Sequence, residues 1–317
     1  MLWVLSVLTR IGLRLLQIVP TVVLVAVLMF VLMRLLPGDP AIQLLGDRAT
    51  DANIARLRHE LGFDRSVVVQ FWAYLTHVAT LRLGDSITLH VPVTQLIAER
   101  LPNTLMLTAM AAMLALLIAV PLAFVAALRE GGIVDIAIRV VGQVGLSMPV
   151  FYLGLILLIT LAAGLGWFPV GGIGNGFVED LYYLLLPALT LALSLAMVLM
   201  RNLRDALIEV MHAEFVQFAT AKGLRRRLVL GRHVLRNALV STVTLMGLQI
   251  GSLVGGAVIT ESVFGIPGIG RLMIDSIYAR DYAVVQGLTI VLSVLVSVVF
   301  LLVDAVQVML DPRQEPA

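Results

Sequence analysis

Apolar stretches broken by short polar ones set the rhythm of this chain. Six apolar runs of about 17 residues or more extend approximately over 13–36, 103–128, 136–165, 184–200, 238–259 and 283–310. A helix of about 20 residues matches the roughly 30 Å hydrocarbon core of a bilayer, so the pattern predicts six transmembrane helices in one all-α membrane domain. The first run follows Arg10 and Arg14, as the core of a signal peptide would. It is too long for one and ends in RLLPGDP without a small-x-small cleavage pattern, so it is expected to persist as a span.

The polar intervals carry shorter elements. In the loop 37–102, ATDANIARLRHELG places Ile54, Leu57 and Leu61 on one face of a short helix that Gly62 ends. WAYL and LRLGDS then suggest a second helix and a turn at the membrane surface, where Trp72 and Tyr74 suit the interface. Within the spans, Pro121 and Pro149 each remove a backbone hydrogen bond. Gly247, Gly251 and Gly255 recur every four residues and bare one stripe of the fifth span to a neighbouring helix, either within this chain or across a dimer or pore contact.

Composition agrees with the pattern: 60% of residues are hydrophobic, 13% are charged and the mean hydropathy is +1.02. Soluble domains carry about 25% charged residues. No cysteine is present, which excludes disulfides, thiol catalysis and cysteine-bound metals. Basic residues concentrate in 201–237, where Arg201, Arg204, Lys222, Arg225, Arg226, Arg227, Arg232 and Arg236 outnumber Asp205, Glu209 and Glu214. By the positive-inside rule this loop is cytoplasmic, and six spans then put both termini and the turn REGG on the same side, leaving 37–102 outside.

Several chemistries lack their residues. His59, His77, His90, His212 and His233 all lie outside the apolar runs, so no intramembrane general base or HExxH site is available. Lys222, the only lysine, sits between Ala221 and Gly223 and builds no Walker A loop; if ATP powers this protein, another chain binds it. Ionisable residues fall near span ends: Arg34, Asp304, and Asp135 with Arg139 as an i,i+4 pair. Central positions offer neutral groups, among them Gln143, Ser147, Thr190, Ser194, Gln249 and Ser252. These groups suit either a permissive polar lining or hydrogen bonds between helices.

The stretch AEFVQFATAKGLRRRLVLGRHVLRNAL explains the charged interval. A helix over about 205–222 would present Phe215, Phe218 and Ala219 on one side, with Gly223 in the left-handed turn that ends it. A second amphipathic piece would set Leu228, Val229 and Leu230 against Arg225 to Arg227 and Arg232. A polybasic segment on anionic lipid is the alternative, but it leaves Ala219 and Ala221 beside Gly223 unexplained.

This stretch resembles the EAA loop of ABC importer permeases, in particular those of the dipeptide and oligopeptide family. LLPGDP, LPNTL, LREGG followed by Asp135, LSMPVFYLG, LGWFPVGG, ESVFGIPGIGRLMIDSI with RDY, and the final DPR extend the resemblance over nearly the whole chain. Val240 and Ser241 depart from it, standing where the family usually has leucine and proline. The resemblance implies the type I importer permease architecture in a bacterial inner membrane, and an ATPase-coupling element at Glu214, Phe215, Phe218, Ala219, Ala221, Lys222 and Gly223. It further implies a second related permease, two ATPase subunits that hold ATP and Mg, an extracytoplasmic binding protein, no cofactor on this chain and no nucleic-acid partner. The expected cargo is di- or oligopeptides, with nickel complexes, glutathione or opines as alternatives; an ATP-independent secondary transporter is the reading from another class. Gln143, Ser147, Gln249, Glu261 and Phe264 are the expected path and gate residues, the last two at an outer mouth formed by SVFGIPGIGR.

Overall fold

The computed structural model describes residues 2–35, 50–60 and 64–310. Most of LLPGDP, Leu61, Gly62 and the final DPR lie outside them. Helices follow in the order α1 (Leu2–Leu35), α2 (Asp51–Glu60), α3 (Val67–Ala79), α4 (Val93–Leu128), α5 (Ile133–Ser147) and α6 (Val150–Leu157), the last continued by a π-helical turn over Leu158–Gly164. Then come α7 (Phe177–Met211), α8 (Glu214–Ala221), α9 (Arg236–Val263, entered through Arg226–Leu228 and the π-helical Val229–Leu235), α10 (Ile269–Tyr278) and α11 (Tyr282–Leu310). The described residues contain no β-strand, only an isolated bridge between Asp85 and Pro92.

Among the described residues, four helices are long and apolar enough to cross a bilayer, through Ile18–Leu35, Val93–Leu128, Phe177–Met211 and Tyr282–Val303. The other two apolar runs fold as bent pairs. The third run, expected as one helix, breaks by 103° between α5 and α6. Pro149 is the cause: its ring drives the preceding Met148 out of helical space, to φ −88° and ψ 131°. The fifth bends by 50° between Gln249 and Gly251, where a Gly-Ser pair weakens the helix. Pro121, by contrast, stays inside an unbroken α4.

The helices fall into two compact groups, one built mainly from Arg100–Leu272 and the other from Gly12–Glu99 with Met273–Ser297. In the first, α7 and α9 form the most extensive helix pair. Leu184, Leu186, Leu199, Leu203 and Leu207 of α7 are fully buried. Ala111, Ala115, Ala119 and Ala123 of α4 join the same core at four-residue spacing, a stripe that removes side-chain bulk where helices meet. Gly247 packs so closely on Val303 of α11 that a Cβ would overlap it, whereas Gly251 and Gly255 face open space. One glycine of the stripe therefore serves packing inside the chain. In the second group, Gly287 admits Val93, whose Cγ1 would stand 2.7 Å from an added Cβ.

Candidate functional site

The polar interval between the fourth and fifth spans begins inside α7, whose 35 residues reach about 52 Å and run well past the apolar stretch. The expected single helix over 205–222 is in fact two. α7 stops at Met211, and Ala213 turns extended, at φ −67° and ψ 143°. Its carbonyl then accepts hydrogen bonds from the amides of Val216 and Gln217, which starts α8 afresh.

Val216 is the one buried residue of α8, and it holds the helix to the core. Phe215 and Phe218 point outward with 49% and 68% of their surface exposed. Ala219 lies half-buried against the core, not beside the two aromatic rings as the sequence suggested. Glu214, Ala221, Lys222 and Gly223 are exposed, and the Lys222 ammonium lies 5.6 Å from the centre of the Phe218 ring. Gly223 takes φ +76°, the left-handed turn expected of it. There Leu224 N–H donates to the Ala219 carbonyl at 3.4 Å and Gly223 N–H to that of Thr220 at 3.0 Å, so the helix end is satisfied by its own backbone. Beyond it, Val229 and Val234 are buried and the arginines of Arg225 to Arg227 and Arg232 are exposed. Leu228, assigned to the apolar side, is 44% exposed instead, while Leu230 is half-buried.

Among the described residues, three carboxylates are buried: Asp135, Asp281 and Glu261. Asp135 does pair with Arg139 as expected, at 3.4 Å. Its main partner, however, is Arg204 of α7, whose Nε and a terminal nitrogen donate to the two oxygens at 2.6 and 2.7 Å. Gly131 N–H adds a third bond at 3.0 Å. A bidentate fork of this kind ties α5 to the end of α7 just before α8 begins. Asp281, from RDY, accepts from Ser86 Oγ at 2.6 Å and from Thr88 N–H and Oγ1 at 3.2 and 3.0 Å. Burial alone would raise its pKa, but these hydrogen bonds outweigh it and hold the carboxyl below the ordinary aspartate range.

Glu261 is the third. Thr104 Oγ1 donates to it at 2.5 Å and Arg271 N–H at 3.0 Å, while Thr104 Oγ1 also accepts from Ile269 N–H at 3.0 Å. A carboxylate from the last turn of α9 thus sits on the first turn of α10, where the unpaired amides of a helix N-terminus favour an anion. Glycines make room: a Cβ on Gly268 of FGIPGIG would overlap the Glu261 carboxylate, and one on Gly171 of LGWFPVGG would overlap the Phe264 carbonyl. Phe264 and Ile269 are 1% and 0% exposed. Glu261 and Phe264, expected at an outer mouth, are both buried in packed interior in this structure.

The neutral polar candidates separate. Gln143 is exposed and lines a groove of about 400 Å³ with Arg139, Met197, Met200 and Arg201. Ser147 is exposed but donates to the Gln143 carbonyl of its own helix at 2.9 Å. Gln249 is half-buried, and Ser252 donates to its carbonyl at 2.7 Å. Thr190 is buried and bonds to Leu186 of the same helix. No cluster of three metal-binding side chains occurs among the described residues.

A short helix with exposed aromatic rings, α8, thus projects from an apolar domain of six runs. Residues 119–316 match the family model of the binding-protein-dependent transport system inner membrane component, and residues 7–108 match the N-terminal model of the same system. The chain belongs to this family. It is an ABC importer permease, the membrane subunit of a machine that also needs an ATPase and a binding protein, and its place is the bacterial inner membrane. A putative peptide transport system permease of Brucella suis is 39% identical over 95% of this chain and 96% of its own length. A probable peptide ABC transporter permease of Sinorhizobium fredii is 36% identical over 95% and 97%. A glutathione transport system permease of Salmonella choleraesuis is 37% identical over 94% and 96%. Among solved structures, an inward-facing methionine ABC transporter aligns with a TM-score of 0.58 at 17% identity, covering 68% of this permease and 97% of that chain. At that identity the likeness speaks for the fold, the type I permease architecture.

Proposed function

We propose that this permease translocates di- or oligopeptides handed over by an extracytoplasmic binding protein, and that α8 with Gly223 couples it to an ATPase. The substrate class follows the peptide permeases of Brucella and Sinorhizobium; the Salmonella relative favours glutathione, itself a tripeptide, as the second reading. In this reading the permease pairs with a second, related permease and two ATPase subunits, which hold ATP and Mg. No catalytic group resides in this chain, both termini face the cytoplasm, and Gln143 contributes to the path.

One observation carries the coupling assignment: α8 is held to the core by buried Val216 and half-buried Ala219 and leaves two phenylalanines exposed. Exposed aromatic rings on a short, self-capped helix suit a groove in a partner, because aromatic anchors dominate the energy of protein interfaces. The native chain has no cysteine, which permits a direct test. In the assembled transporter, with partner subunits carrying one cysteine along the ATPase groove, Phe215→Cys and Phe218→Cys should form disulfides with the ATPase and Val216→Cys should not. Absence of any crosslink from both exposed positions, in a complex that still hydrolyses ATP in response to binding protein, would refute the assignment.

A further inference from the structure

Helix α3 has a face that none of the described residues covers. It contains no Asp, Glu, Lys or Arg in its 13 residues, VVVQFWAYLTHVA, and none of them is buried. Val67, Val68, Val69 and Trp72 are 57%, 65%, 46% and 61% exposed. Contiguous apolar surface on an element without charge needs an explanation beyond scattered exposure.

The position of α3 along α1 supplies one. The ring of Phe30 in α1 meets Phe71 edge-on at 5.1 Å and stacks with Tyr74 at 5.8 Å. Arg34 lies over the same Phe30 ring at 4.0 Å and donates to Gln70 at 2.5 Å. The apolar window of α1 is Ile18–Leu35, which at 1.5 Å per residue is about 27 Å, close to the hydrocarbon thickness. Phe30 then sits about 7 Å inside the end of that window, and Arg34 at its edge. A helix fastened to those two residues lies at the acyl–headgroup boundary, the depth of about 5–10 Å at which amphipathic helices rest on membranes. Around it, α1 itself offers lipid a continuous apolar surface through Leu24, Leu28, Val31 and Leu32, all exposed by about half. Trp72 is the side chain such a boundary prefers, an apolar ring with one N–H to leave in the headgroups.

We infer that α3 is a lipid-bound interfacial helix: Val68, Val69 and Trp72 insert into the leaflet at the C-terminal end of α1 and fix the long loop after α1 to the membrane surface. The occupant is lipid rather than a protein because the helix is joined to a lipid-facing span at interfacial depth. The inference rests on α1 spanning the bilayer and is independent of the substrate or the coupling assignment.

The test uses nitroxide side chains in the assembled transporter, with cysteine-free partner subunits, in phospholipid nanodiscs. Val68→Cys, Val69→Cys and Trp72→Cys are labelled singly, with Asp51→Cys on α2 as an exposed reference, and power saturation is recorded with oxygen and with a soluble nickel chelate. The ratio of oxygen to nickel accessibility should be severalfold higher at all three α3 positions than at Asp51. Labels on α3 that meet nickel as freely as the reference would overturn the inference in favour of a solvated helix. Immobile labels reached by neither reagent would overturn it in favour of a protein partner, such as the binding protein or a second permease.

Discussion

The single residue with the largest predicted effect is Arg204. It is 12% exposed and closes a two-bond fork on a wholly buried Asp135. Removing one partner of a buried pair leaves the other charge without compensation, at a cost of about 3–5 kcal/mol. Arg204→Ala should therefore lower the thermal unfolding temperature of the detergent-purified permease by many degrees. The double replacement of Arg204→Gln with Asp135→Asn should recover much of the loss, since neither charge then remains. A second residue-scale prediction concerns Gly223. No atom lies within 4 Å of where its Cβ would be, so a larger side chain meets no steric obstacle, and the effect of substitution is conformational strain at φ +76°. Gly223→Val should cost about 1–2 kcal/mol locally, loosen the end of α8 and reduce ATP-driven uptake while membrane insertion stays normal. Wild-type uptake by a normally assembled Gly223→Val transporter would mean that the turn transmits nothing.

At the scale of elements, four apolar runs are single spanning helices and two are bent pairs, and the glycine turn at Gly223 was legible while the break that separates α8 from α7 was not. What stayed hidden depended on pairs distant in sequence. Asp135 has an obvious neighbour at Arg139, and only the fold shows that Arg204, 69 positions away, bonds it more closely. Glu261 precedes three glycines and a proline, and two of those glycines, Gly268 and Gly270, let the backbone press against its carboxylate. The break at Pro149 was legible as a lost hydrogen bond but not as a 103° turn, since Pro121 carries the same local signal and leaves α4 intact. The glycine stripe of α9 divides in the same way and gives a testable contrast. Gly247→Val should destabilise the purified permease, because its side chain must displace Val303. Gly251→Ala and Gly255→Ala face open space and should be neutral or raise stability by up to about 1 kcal/mol through helix propensity. Equal losses at all three positions, read from thermal unfolding, would contradict the packing described for α9.

On the scale of the whole molecule, the buried carboxylates serve as ties. Each is held by hydrogen-bond donors in place: Asp135 by Arg204 and Gly131, Glu261 by Thr104 and the start of α10, Asp281 by Ser86 and Thr88. Gln143 is neutral and shares its groove with Arg139, Arg201, Arg204 and Asp205. Membership of the importer family assigns the energy source to a partner ATPase, which must act through a part of this chain that partners can reach. In the proposed function the two-state balance of the spans is shifted by ligands that bind one state better, namely nucleotide on a partner ATPase and the loaded binding protein. The most direct measurement is uptake of a labelled dipeptide into proteoliposomes holding the assembled transporter, with ATP supplied on the ATPase side and binding protein on the other. Accumulation should require both and vanish when either is withheld, with ion gradients collapsed throughout. Accumulation by this permease alone, driven by an imposed proton or sodium gradient and indifferent to ATP, would contradict the account.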